Sequence, residues 1–379
     1  MVNTFGTKVS PLSVPERLLL GPGPSNSHPL VLQALSNQPV GHLDPFYIDL
    51  MAEVQSLLRH VWQTENRLTL PMSGTGSSAM EATIANIVEP GDTVLIPVKG
   101  YFGNRLVDMA SRYQANVQTI EKSWGQVFSL EELEEAIIKF SPSVLAMVHA
   151  ETSTGVCQPM DQIGELCRKY NCLLILDTVT SLGSVPVFLD DWKVDLAYSC
   201  SQKGLSCPPG LGPFTMNKRA EHKLSRRKGK VPNWYLDVSL LNKYWGSDRV
   251  YHHTAPVNMN FGIRESLRLI VEEGLENSWK RHNQNAELLW SGLEGLGLEL
   301  HVEKAYRLPT LTTVKIPDDI DGKAFALNLL NNFGVEIGGG LGELAGKVWR
   351  VGLMGYNSQK ENVEKVLNLF DTELSKFKR

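Results

Sequence analysis

The chain has 379 residues, 42% of them hydrophobic and 21% charged, with a formal net charge of −4. That length is too great for one small core and suits a large and a small domain. The slightly acidic balance argues against nucleic acid as a main partner, and no apolar run is long enough to span a bilayer, so no membrane partner is expected.

The N-terminal stretch MVNTFGTKVSPLSVPERLLL has no apolar signal core, and its cations are too few for a transit peptide. The C-terminal KFKR is not a peroxisomal tripeptide. From about residue 67 to residue 215, strand-like and helix-like runs alternate. RLTLPM is short and apolar, and GSSAMEATIANIV follows with helical spacing. TVLIPV, the helical NRLVDMASRYQA and NVQTIE come next. SLEELEEAIIKF opens with Ser129 and carries Glu132 three residues on, a capping-box signal. SVLAMVHA, the helical MDQIGELCRKY and CLLILD complete the alternation, and LAYSCS and GPFTMN follow. The pattern predicts an α/β fold with a mainly parallel sheet sandwiched by helices, its strands apolar throughout because both faces are covered.

The run KLSRRKGK, Lys223 to Lys230, reads as a solvated surface segment. Beyond about residue 260, a long helical stretch with glycine breaks leads out of the large domain. TLTTVKI, AFALNLLNNF, VWRVGLM and VEKVLNLFDTEL then predict strand, helix, strand, helix, a smaller C-terminal α/β domain. The expected division is an N-terminal extension over 1–20, a large domain over 21–270 and a small domain over 271–379. The five cysteines, Cys157, Cys167, Cys172, Cys200 and Cys207, lack zinc-type spacing. They read as free thiols of a reducing compartment, and a cytoplasmic location is expected.

In a parallel sheet, ligands bind beyond the carboxyl ends of the strands. Asp177, Ser73 to Ser77 and Thr152 all fall at such ends. Lys203, in SCSQKGLSCPPG, sits among small residues, where weak solvation lowers a lysine's pKa. Such an amine can form a Schiff base with an aldehyde cofactor and carry protons. An acid ending a strand, as Asp177 does, can hold a proton on a pyridine nitrogen. The same acid can also cap a helix starting at Thr178. Taken together, Lys203 and Asp177 point to pyridoxal phosphate chemistry. SGTGSSAMEA is a glycine-rich strand-to-helix turn suited to phosphate. Gly74, Gly76 and Ala79 also fit the dinucleotide pattern G-x-G-x-x-A, but that pattern needs an acid at the end of the second strand. Asp92 precedes TVLIPV, and Lys99 follows it. Phe102 in KGYFGNR suits ring stacking or a core position. Arg350 in KVWRVGLMG, placed after a strand, suits a substrate carboxylate or a surface ion pair. The adjacent His252 and His253 project differently, and no metal site is expected.

Together, SGTGSSAMEA, KGYFGNR, ETSTGV, LLILDTVTSLG, SCSQKGLSCPPG, YHHTAPV and KVWRVGLMG resemble the class V aminotransferases, within them the alanine–glyoxylate / serine–pyruvate group. The resemblance runs in order from GPGPSN at Gly21 to near the C-terminus. It implies fold type I, the aspartate-aminotransferase-like fold, pyridoxal 5'-phosphate as cofactor and a homodimer with shared active sites. It implies Lys203 as the Schiff-base lysine and Asp177 as the pyridinium partner. Thr75, Gly76, Ser77 and Gln202 fall at phosphate-binding positions, Phe102 and Val179 on the two faces of the ring, and Thr152 near the ring oxygen. Tyr251 and Thr254 match residues that reach the neighbouring subunit's phosphate, and Arg350 matches the substrate-carboxylate arginine. Two positions depart from the mammalian pattern: Ser77 stands where histidine is found, and Phe102 where tryptophan is found.

The implied reaction is transamination of alanine or serine with glyoxylate or pyruvate as acceptor. In it, Lys203 relays the α-proton, Asp177 keeps the ring nitrogen protonated and Arg350 orients the carboxylate. The alternatives are a related aminotransferase with a different acceptor and a cysteine desulfurase-like lyase. A nucleotide-binding oxidoreductase and a noncatalytic cofactor-binding protein stand further off. The desulfurase needs a nucleophilic cysteine near the small domain, and no cysteine follows Cys207.

Overall fold

The computed structural model of the chain describes residues 10–377. The first part of the expected N-terminal extension, residues 1–9, and the last two residues of KFKR lie outside the described residues.

Seven strands form the main sheet. Their order across it is Leu68–Ser73, Leu211–Met216, Leu196–Tyr198, Leu173–Asp177, Val144–Val148, Thr93–Val98 and Asn116–Glu121. The last five are mutually parallel, and Leu211–Met216 runs antiparallel to both of its neighbours. The predicted parallel sheet is therefore present, with one reversed strand inserted. Val144–Val148 and Leu173–Asp177 are buried along their whole length, because helices cover both faces and leave no polar side to the strand. Helix Leu130–Phe140 begins with the predicted capping box: Ser129 Oγ accepts the Glu132 N–H, and the Glu132 carboxylate accepts the Ser129 N–H.

The parallel register aligns Val148 with Asp177 and Asp177 with Tyr198. Three adjacent strands thus deliver their carboxyl ends to one place. The sheet's hydrophobic core draws on residues from Val31 to Leu275.

A second core cluster draws on residues 286–370 and on Leu20. Its sheet is antiparallel, in the order Leu311–Lys315, Val348–Gly352, Gly338–Gly339. Leu18–Leu19 pairs in parallel with Val335–Glu336, which ties the start of the described chain to this second unit. The predicted long helical stretch is two helices, Val257–Glu273 and Leu275–Gly295, broken at Gly274 with φ +85°. No helix of the described residues is long and apolar enough to cross a membrane.

The basic run differs from a simple solvated segment. Lys223 pairs with Asp92 at 2.7 Å, and Arg227 donates to the carbonyls of Asn86 and Val88 at 3.1 and 2.9 Å. Asp92 also accepts the Glu89 N–H at 3.1 Å. It sits at the start of its strand and not beside the glycine-rich turn, so it is not placed as a ribose-binding acid.

Candidate active site

Asp177 ends its strand in the interior, only 3% exposed. One carboxylate oxygen accepts the Val179 N–H at 2.8 Å and the other accepts the Tyr198 hydroxyl at 2.7 Å. The cap-like bond to residue 179 forms, but turns follow instead of a helix. Burial pushes Asp177 up to about 7, against the two hydrogen bonds and Lys203, which pull it down. A buried carboxylate with two neutral donors favours a cationic N–H opposite it.

Lys203 is 8% exposed, so the alternative of a surface lysine is lost. Burial, with smaller contributions from Arg350 and Arg105, lowers it to about 8 against the opposing pull of Cys200 and Asp177. Its Nζ donates to the Pro22 carbonyl. Pro22, Gly23 and Ser25 pack against this lysine. A Cβ at Gly23, where φ is +100°, would lie 2.6 Å from Lys203 Cδ. Ser25 holds the lysine's backbone, its N–H to the Gln202 carbonyl at 2.9 Å and its hydroxyl to the Lys203 carbonyl at 2.9 Å.

The glycine-rich turn leads from Leu68–Ser73 into helix Gly76–Ile87. Thr75, the N-cap, makes no side-chain cap bond, so the first N–H groups of that helix stay available to an anion. Thr75 and Ser77 are exposed. A Cβ at Gly76 would lie 2.6 Å from Cys200 Cβ, which seats the helix start directly against the strand end before Lys203. The Gln202 side-chain oxygen is buried without a partner. With the amide turned, its NH2 is a free donor. This donor set and the unpartnered amide fit a phosphate.

Thr152 is buried, its hydroxyl 2.5 Å from that of Thr180. Phe102 is half-buried: it packs on the core's edge, and the Arg105 guanidinium lies 4.7 Å from its ring centre. It is thus not a fully enclosed core phenylalanine. Val179 is also half-buried. A flat ring flanked by Phe102 and Val179 and facing Asp177 fits the residues present.

Arg350 lies inside strand Val348–Gly352, not after it. Strand alternation sends Trp349 into the second core and Arg350 to the opposite face. The guanidinium Nε donates to the Gly339 carbonyl at 2.7 Å and Nη1 to the Thr152 carbonyl at 3.2 Å. Two neutral acceptors fix its plane and leave Nη2 for a carboxylate. Burial lowers it to about 10, and its guanidinium remains charged at neutral pH.

Tyr251 and Thr254 lie on an exposed loop, with their hydroxyls 3.3 Å from each other. That loop packs beside the glycine-rich turn: His253 Nε2 is 2.7 Å from Ser73 Oγ, and Tyr235 donates to the Ser73 carbonyl at 3.0 Å. The two adjacent histidines bond each other, with their Nδ1 atoms 2.8 Å apart.

Sequence reasoning missed Tyr198, Glu151 and the Gly21–Ser25 segment. Tyr198 ends the strand beside that of Asp177, so the pairing of LLILD with LAYSCS would have found it. Glu151 lies within the ETSTGV motif, where its neighbour Thr152 drew attention instead.

The family model described as Aminotransferase class-V matches residues 22–366. The chain is 44% identical over 373 residues to an alanine–glyoxylate aminotransferase of Felis catus, covering 97% of this chain and 90% of that one. It is 41% identical over 374 residues to an (S)-ureidoglycine–glyoxylate transaminase of Bacillus subtilis, covering 94% and 90%. A crystal structure of an alanine–glyoxylate aminotransferase from Nostoc sp. superposes with a TM-score of 0.97 at 65% identity, covering 98% of both chains.

Proposed function

The chain belongs to the class V aminotransferases, and from that premise we propose that it moves the amino group of alanine or serine to glyoxylate or pyruvate. The observation that carries this reading is the buried lysine with a lowered pKa set near a hydrogen-bonded buried carboxylate at the carboxyl edge of the sheet. The family's cofactor is pyridoxal phosphate, which when bound supplies an aldehyde that condenses with amines and a ring that accepts electrons. Thr75, Gly76, Ser77 and Gln202 would hold its phosphate, Phe102 and Val179 the faces of its ring, and Thr152 its ring oxygen.

Lys203 is the proton carrier. At a pKa of about 8, its amine is partly uncharged near neutrality, so Nζ can take the proton from the substrate α-carbon and, as an acid, hand it on to the cofactor side of the transferred nitrogen. Asp177 holds a proton on the ring nitrogen, with its carboxylate aimed by Val179 and Tyr198. Arg350 binds the substrate carboxylate, and its two fixed donors orient the guanidinium before substrate arrives. Pro22 and Gly23 wall the lysine on the other side and limit the space beside it, which suits a small side chain.

The desulfurase alternative needs a thiolate. Burial raises Cys157 and Cys200 to about 11 and Cys207 to about 12, so these thiols stay protonated.

We further propose a large domain over 21–270, a small domain over 271–379 and a homodimer. Tyr251 is 54% exposed and Trp234 is 60% exposed, both beside the glycine-rich turn. In a two-fold interface the same patch faces itself, so one copy's Tyr251 and Thr254 would meet its partner's phosphate site. A cytoplasmic location suits the five free thiols.

A matrix of alanine, serine and (S)-ureidoglycine against glyoxylate, pyruvate and 2-oxoglutarate tests the function. Turnover is expected for alanine or serine with glyoxylate or pyruvate. No amino transfer from either donor to either acceptor would refute it.

A further inference from the structure

Glu151 is fully buried and takes no part in the proton transfers above. It ends the short strand Ala150–Glu151, one residue before Thr152. Its carboxylate accepts the Phe102 N–H, at 3.4 and 3.2 Å to its two oxygens. It also accepts the Ser153 N–H at 3.1 Å and the Ser153 hydroxyl at 2.6 Å. That hydroxyl in turn accepts the Tyr101 N–H at 2.9 Å.

Tyr101 and Phe102 open helix Tyr101–Arg112, whose N-cap is Gly100. A helix leaves its first N–H groups without backbone partners, and a Ser, Thr, Asp or Asn just before it commonly accepts one of them. Glycine has no such side chain. Here the acceptors come from a segment 49 residues further along the chain. The fit is close: a Cβ at Gly100 would lie 2.3 Å from Glu151 Cγ and 2.7 Å from Ser153 Oγ. Glycine at position 100 makes room for the distant carboxylate. Burial raises the Glu151 carboxyl, against its hydrogen bonds from Ser153 and the nearby Lys99, which favour the charged form, and the carboxylate meets the positive end of the helix dipole.

We infer that Glu151, with Ser153, is a positioning residue that caps this helix from a distance and so fixes the Phe102 ring against the cofactor. The inference rests on the proposed placement of Phe102 at the ring face. The same three-residue segment carries Thr152, whose carbonyl accepts Arg350 Nη1. Glu151 therefore ties the stacking wall to the segment that orients the substrate arginine.

The test is a double-mutant cycle on holoenzymes: Glu151→Ala, Phe102→Ala and the two combined. Visible circular dichroism of the bound cofactor and the rate of cofactor loss are the readouts. Glu151→Ala is expected to speed cofactor loss about tenfold, the scale of one hydrogen bond to a charged group, and to weaken the visible dichroic band. Glu151→Gln, which keeps an acceptor oxygen, is expected to restore most of the band. In the Phe102→Ala background, Glu151→Ala is expected to add little, because both act on one ring. An unchanged band and rate in Glu151→Ala, or an equal effect with and without Phe102, would overturn the inference. If Glu151→Ala does not fold, Ser153→Ala replaces it in the same cycle, with the same expected result and the same refuting one. A Phe102→Ala holoenzyme identical to the parent would remove Phe102 from the ring face and this inference with it, leaving Lys203 and Asp177 in their roles.

Discussion

Tyr198→Phe removes a single oxygen from the centre of the site. Tyr198 is 0% exposed, and its hydroxyl donates to Asp177 at 2.7 Å. Phenylalanine keeps the ring and its packing, so the change isolates the hydrogen bond. A hydrogen bond to a buried charged group contributes about 1.5–3 kcal/mol, and 1.36 kcal/mol is tenfold, so the loss corresponds to roughly 10- to 150-fold. The sign follows from the chemistry. The hydroxyl stabilises the carboxylate, and burial already holds Asp177 at about 7. Without the donor, Asp177 moves up, fewer molecules carry the carboxylate at neutral pH, and the ring nitrogen loses its partner. The assay is kcat/KM for alanine with glyoxylate between about pH 6 and pH 9. The deficit is expected to be largest at the acid end and to shrink toward pH 9. A variant within about twofold of the parent across the whole range would refute the role of this bond. A deficit independent of pH would refute the charge argument.

Asp177→Asn is expected to bind cofactor but to transaminate at least about 100-fold more slowly; an unchanged single-turnover rate would remove Asp177 from its role. Arg350→Lys replaces a plane fixed by Gly339 and Thr152 with a point charge. It is expected to raise KM for the amino donor about 10- to 100-fold with a smaller change in kcat, and an unchanged KM would take the substrate carboxylate elsewhere. Gly23→Ala places a Cβ 2.6 Å from Lys203 Cδ at φ +100°. A stability loss of about 1–3 kcal/mol in thermal unfolding and a fall in turnover are expected, and normal turnover would show that Lys203 does not need this close approach.

Much of the fold was legible because local pattern determines it. Apolar runs such as LLILD and SVLAMVHA announce strands covered on both faces, and Ser129 with Glu132 announces a helix start. The position of Asp177 at a strand's carboxyl end, with the glycine-rich turn on the same edge, follows from parallel topology alone. The pairing of elements distant in sequence was not legible. Nothing local in GPFTMN says that Leu211–Met216 runs against its neighbours, and nothing in ERLLL says that Leu18–Leu19 pairs with Val335–Glu336. The same limit hid Tyr198, whose phenol meets Asp177 only through strand register, and Glu151, which caps a helix from just beyond the end of the neighbouring strand. VWRVGLM was legible as a strand, but Arg350 lies inside it and not after it, and the Gly339 and Thr152 carbonyls that hold its guanidinium come from segments distant in sequence. Lys223 and Arg227 looked solvated because a charge run shows no partner until Asp92 and the carbonyls of Asn86 and Val88 are brought beside it.

The placement of the reactive amine at Lys203 is tested most directly by reducing the holoenzyme with borohydride and mapping the modified peptide by mass spectrometry. The expected result is a single pyridoxyl-phosphate adduct on Lys203, formed on the resting enzyme and lost when alanine is added before reduction. An adduct on Lys99 or any other lysine, or none at all, would contradict it.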